Sequence, residues 1–215
     1  MSLQIINNTY KFECTMCGNC CTGDQKVNLN LYDLYKIATY KGFRNTSQLF
    51  AEKTIQLVKG QNNAWVPQIK FKSLKRSDAT ESLRKNYIFC PFLINELDDQ
   101  HKLKGLCSLH PDIKPLICAM APIGRVLDFE NRKEDFVFVK PASDCPGVES
   151  QKENLLNDFK DNFSDELAFE LRFFRIMNNL MAKNKSYSFY LENIYTFSTI
   201  EPFEYFLNQL EHTFN

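Results

Sequence analysis

The chain of 215 residues has no excess of either charge: 26 Lys and Arg balance 26 Asp and Glu. A protein that grips nucleic-acid phosphates gathers basic residues into a stripe or tail; none stands out, so no nucleic-acid partner is expected. Long hydrophobic runs are missing too. The longest mostly apolar stretch, around Pro115 to Gly124, is far too short to span a bilayer, so no membrane partner is expected either. The opening M-S-L-Q-I-I-N-N has no basic n-region, and neither end carries a lipidation motif. These absences point to the cytoplasm, where thiols stay reduced. Histidine is scarce, limited to His101, His110 and His212. Apolar residues make up 44% of the chain, enough for a real core, so the chain does not need disulfides as a small secreted domain does.

Cysteine, by contrast, is concentrated. Cys14, Cys17, Cys20 and Cys21 form the run C-T-M-C-G-N-C-C, and Cys90, Cys107, Cys118 and Cys145 follow singly. Reduced cysteines crowded in sequence read as metal ligands. Thiolates at intervals of three in a tight loop can face one centre, as in bacterial ferredoxins, where a more distant cysteine followed by proline completes the set. Here Cys90 and Cys145 both precede proline, and Gly18 frees the loop backbone. Structural zinc usually takes two separated Cys-x-x-Cys pairs, which this chain does not have. An iron–sulfur cluster is therefore favoured, with zinc or mononuclear iron, and disulfides or free thiols, as the other readings. His110 stands three residues after Cys107 and could complete a site or simply lead into Pro111. The adjacent Cys20 and Cys21 are expected to diverge, Cys20 completing the triplet and Cys21 turning toward a second centre or an edge of the site, unless it is simply a small buried apolar residue.

The spacing predicts an α+β fold, predominantly helical. Cysteine-rich loops with short strands or hairpins come first, over 10–148, and a helical extension follows over 149–215. Asn30 caps a helix with Asp33 three residues on, closed by Gly42. A second helix is read from Ser47 to Lys59, with Leu49, Phe50, Ile55, Leu57 and Val58 on its apolar side. Strands are read at V-N-L, at Trp65 to Phe71 and at Tyr87 to Ile94. R-V-L-D-F and F-V-F-V-K form a hairpin around N-R-K-E. In the tail Ser164 starts a long helix to about Lys183, whose wide apolar band implies burial in the protein's own core. Two shorter helices follow, Tyr187 to Tyr195 and Pro202 to Phe214, with Ser198 or Thr199 capping the last.

The ordered motifs F-E-C-T-M-C-G-N-C-C-T-G, C-P-F-L, C-S-L-H-P-D-I-K-P-L-I-C-A-M-A-P and C-P-G resemble the CxxCxxCC zinc- or iron-chelating domain of YkgJ-like cysteine-cluster proteins, from Tyr10 to Gly147. The resemblance implies metal chelation by all eight cysteines. Two departures stand out: Lys114 occupies the place of an arginine before Pro115, and Ala119 and Ala121 replace an arginine and an aromatic. Flagellin lysine N-methylases carry a similar module, which makes a protein-lysine methylase the natural enzymatic reading. No G-x-G follows a strand, and the Cys-x3-Cys-x2-Cys spacing of radical S-adenosylmethionine enzymes is absent. Catalytic residues are not assigned. A cluster-based redox role, a metal carrier and a metal-held protein-interaction module are the other functions the pattern allows.

Overall fold

The computed structural model describes residues 4–23, 25–60, 63–74, 87–101, 103–181 and 183–214. Its first helix, α1 (Leu31–Tyr40), begins as its sequence dictates. The Asn30 side chain accepts from Asp33 N at 2.8 Å, and the Asp33 carboxylate accepts from Asn30 N at 3.0 Å, a capping box. Leu31, Leu34, Ile37 and Ala38 are fully buried beneath it, each large side chain stabilising the fold by about 1.5–3 kcal/mol.

The second expected helix is half helix and half strand. α2 (Ser47–Ala51) stops early, and Lys53 takes a left-handed φ of 58°. Ile55–Lys59 is then β3, with Ile55 and Leu57 inward, pairing antiparallel with β4 (Trp65–Ile69) in the register Ile55↔Ile69. Branched Thr54, Ile55 and Val58 suit a pleat better than a helix. V-N-L is not a strand; Asn28 makes one isolated bridge to Gln68. The stretch from Tyr87 to Ile94 splits at Pro91 into β6 (Tyr87–Phe89), paired with β5 (Lys72–Leu74), and β7 (Leu93–Leu97), paired with β8 (Leu103–Cys107). After α3 (Leu116–Met120) comes the expected hairpin, β9 (Ile123–Asp128) and β10 (Lys133–Phe138), with β1 (Gln4–Ile5) added beside β10. β11 (Glu153–Leu155) pairs with β2 (Thr9–Lys11).

The tail is helical as read. α4 (Leu156–Asn162) leads into α5 (Ser164–Met181), followed by α6 (Tyr187–Asn193) and α7 (Phe203–Phe214). Neither Ser198 nor Thr199 caps α7. Ser198 Oγ accepts from Ile200 N, and the Thr199 hydroxyl donates to the Phe43 carbonyl. The fold is not predominantly helical: 37% is helix and 25% strand, in several small sheets. The excess strand lies in two- to six-residue pieces whose partners are distant or Gly- and Pro-bounded, so they show no sequence period.

The largest core joins Leu31, Leu34 and Ile37 of α1 to Phe173, Ile176 and Leu180 of α5, Tyr190 and Tyr195, and Phe203, Leu207 and Leu210 of α7. Tyr195 is fully buried, its hydroxyl donating to Trp65 O at 2.7 Å. A second core gathers Ile6, Leu116, Met120, Ile123, Phe136, Phe159 and Leu167. α3 is the seam between the two. Leu116 and Met120 enter the second core, whereas Cys118, half a helical turn away, packs against the first.

Candidate metal centre

The cysteine run is shaped by one glycine. Gly18 sits at φ 75°, where a side chain would be strained, and turns the chain into a 3-10 turn over Asn19–Cys21, closed by Cys21 N donating to Gly18 O at 2.8 Å. On its other side Cys17 bridges Gly105 in β8, and Gly105 N donates to Met16 O at 2.7 Å. The two glycine backbones touch: a Cβ built on Gly105 would lie 2.4 Å from Gly18 Cα. The run is thereby pinned to the β7–β8 hairpin that carries Cys107.

Other segments converge by similar backbone bonds. Thr22 bridges Phe89, and Cys90 N donates to Cys21 O at 2.8 Å. Leu93 N donates to Cys90 O at 3.1 Å, and Leu93 faces Cys107 across the hairpin. At the opposite end of the run Glu13 N donates to Gly147 O at 3.2 Å, and Asn19 Nδ2 donates to Asp144 O at 3.2 Å, drawing in the segment of Cys145. A Cβ on Gly147 would lie 2.4 Å from Glu13 O. Four stretches of chain, those of the run, Cys90, Cys107 and Cys145, are thus bonded to one another through their backbones.

All eight are free thiols, so no disulfide links them. Cys90 and Cys145 are buried, Cys17, Cys21, Cys107 and Cys118 half-buried, and Cys14 and Cys20 exposed. The sulfurs of Cys20 and Cys21 lie 4.0 Å apart. The expected divergence of this pair does not occur, because a 3-10 turn rotates successive side chains by about 120° rather than the 180° of a strand. The two sulfurs share a hydrogen bond, through which Cys20 is brought down to about 6 and Cys21 is pushed up. Burial raises Cys21 further, as do the charges of Cys20, Cys90 and Cys118. Burial holds Cys90 up at about 11, with Cys107 and Cys20 adding to it. Cys118 is raised by burial and by Asp33, Cys90 and Cys20, against the pull of the Lys114 ammonium. Cys145 is raised by burial, then by Cys17 and Cys20. Cys20 thus lies within electrostatic reach of Cys21, Cys90, Cys118 and Cys145.

Among the described residues no three His, Cys, Asp or Glu side chains stand as ligands to one ion. The donor chemistry nevertheless fits a metal that prefers sulfur. Two thiolates about 2.3 Å from one tetrahedral zinc are about 3.8 Å apart, close to the separation of Cys20 and Cys21. His110 is exposed, linked to the group only through its backbone N–H to Cys107 O at 3.0 Å; His101 is exposed and His212 lies in the last turn of α7. Lys114, marked in the sequence only as standing where an arginine was expected, is a charge partner of Cys20 and Cys118, a role its place between Cys107 and Cys118 could have suggested.

A family model described as "CxxCxxCC: Putative zinc- or iron-chelating domain" matches residues 13–146. No curated protein and no solved structure matches the chain.

Proposed function

Because the chain belongs to the CxxCxxCC zinc- or iron-chelating domain family, we propose that its eight cysteines hold an iron–sulfur centre with a redox role. The observation carrying this reading is proximity: Cys20 lies within electrostatic reach of Cys21, Cys90, Cys118 and Cys145, with Cys107 beside Cys90 and Cys17 beside Cys145. That is more sulfur than one tetrahedral ion can use, which supports a centre of more than one metal atom. Cys20, Cys21, Cys90 and Cys118 are the first ligands to test, with Cys107 at their edge and Cys14, Cys17 and Cys145 toward the other end. A cluster would supply one-electron chemistry. The residues would supply thiolates and, through Lys114, a cation against their negative charge.

A single zinc or iron ion is the second reading, favoured by the 4.0 Å separation of the Cys20 and Cys21 sulfurs. Anaerobic purification with iron, sulfide and zinc analysis separates the two. Brown protein containing iron and acid-labile sulfide is expected, and colourless protein with stoichiometric zinc would establish the second reading. Cys21→Ser should lose at least about half the metal and melt lower, since metal binding stabilises the folded state. Metal content equal to that of the unsubstituted protein would overturn both.

A further inference from the structure

α3 has five residues, too few to hold a helix by its own hydrogen bonds. Its position, and with it that of Cys118, comes from the packing of Leu116 and Met120 and from what grips its start. Asp33 does so with its second oxygen. While Oδ2 closes the capping box of α1, Oδ1 accepts from Leu116 N at 2.8 Å. One buried carboxylate, 1% exposed, thus serves the first turns of both helices. Lys36 lies one turn along α1, itself 7% exposed. Its ammonium stands 4.0 Å from Asp33, donates to Lys114 O at 3.1 Å and donates to Glu166 of α5 at 2.7 Å. A turn further along α5, Glu170 accepts from Arg125 Nη1 at 3.0 Å, and the same guanidinium donates to Leu167 O at 2.8 Å. α5 is therefore tied both to α1 and to the strand that follows α3.

We infer that Asp33 and Lys36, braced by Glu166, are positioning residues for Cys118, so that the C-terminal helices help to build a centre to which they contribute no ligand. This rests on the reading of Cys118 as a metal ligand. Lys36 is the decisive member because it touches α1, α5 and the turn leading into α3 at once. Without its charge Glu166 has no other ion-pair partner among the described residues, Lys114 O loses its donor, and the start of α3 keeps only the Asp33 hydrogen bond beside the packing of Leu116 and Met120. Buried partners of this kind cost more when broken than surface pairs do.

The test compares Lys36→Met with Glu211→Gln in the full chain. Glu211 pairs with Arg172 at 2.9 and 2.6 Å, joining α5 to α7 away from α3, so its loss loosens the same helix without touching the brace. Cobalt(II), added anaerobically to metal-free protein, reports thiolate ligation through its sulfur-to-metal charge-transfer absorption. Lys36→Met is expected to weaken cobalt binding about tenfold and lower that absorption per cobalt. In the metal-free chain, alkylation of Cys118 by iodoacetamide, read by mass spectrometry, should accelerate about tenfold while that of Cys145 is unchanged. Glu211→Gln should do neither. Cys118 alkylation in Lys36→Met at the unsubstituted rate, or an equal rise at every cysteine, would overturn the inference. Should the unsubstituted chain bind no cobalt through sulfur, the reading of the centre fails while the alkylation pattern still decides the positioning.

Discussion

Cys20 and Cys21 show how far residue-level reading reaches. Their identity as candidate ligands was legible from spacing alone, and their relation to one another was not. It depends on Gly18 adopting φ 75° and on the 3-10 turn that follows, neither of which is implied by two adjacent cysteines. The consequence is chemical. A thiol brought down to about 6 by the hydrogen bond with its neighbour is mostly thiolate at neutral pH, whereas an ordinary cysteine is mostly protonated. Since the thiolate is the nucleophile and forms above the pKa, the Cys20 alkylation rate in metal-free protein should be flat above pH 7 and fall as pH drops through 6. Peptide mapping after timed iodoacetamide exposure checks this, and a rate still rising between pH 7 and 9 would contradict it. Replacing Cys21 with alanine should return Cys20 to ordinary behaviour.

At the scale of elements, what could be read was what carried its own local signal. The box of Asn30 and Asp33, the hairpin of β9 and β10 and the apolar band of α5 are all written within a few residues. β1, β2 and β11 are not, because two or three residues have no period and each is a strand only by virtue of a distant partner. β3 misled because Ile55, Leu57 and Val58 fit either a helix face or an alternating strand, and pairing with β4 decided it. The joint between the cysteine run and β8 is likewise invisible in sequence, where Gly18 and Gly105 are unrelated glycines. Gly105→Ala would press a methyl into the Gly18 backbone, which cannot swing aside as a side chain would. It should cost about 1–3 kcal/mol in urea unfolding, in the range of overpacked cores, and expose Cys17 to alkylation. A variant as stable as the parent would show that this contact is not tight.

For the molecule as a whole, the important fact is that the main core crosses from the cysteine-bearing half into the helices after residue 149. Composition changes there, and the family match ends at residue 146, yet Leu34 and Ile37 share a core with Ile176, Leu180 and Leu207. A chain ending at residue 150 would leave that apolar surface bare and should aggregate on expression; gel filtration of the truncated chain as a monomer would refute this. No helix among the described residues is long and apolar enough to cross a membrane. The backbone bond from Cys90 to Cys21, and the bridge from Cys17 to Gly105, close long loops by hydrogen bonding alone. Such backbone bonds meet part of the entropy of closing the loops that carry the cysteines. Metal uptake by the metal-free chain is therefore expected to run at a rate proportional to free metal concentration, unlike a zinc finger, in which capture and folding are one event; a stopped-flow rate independent of metal concentration would contradict it.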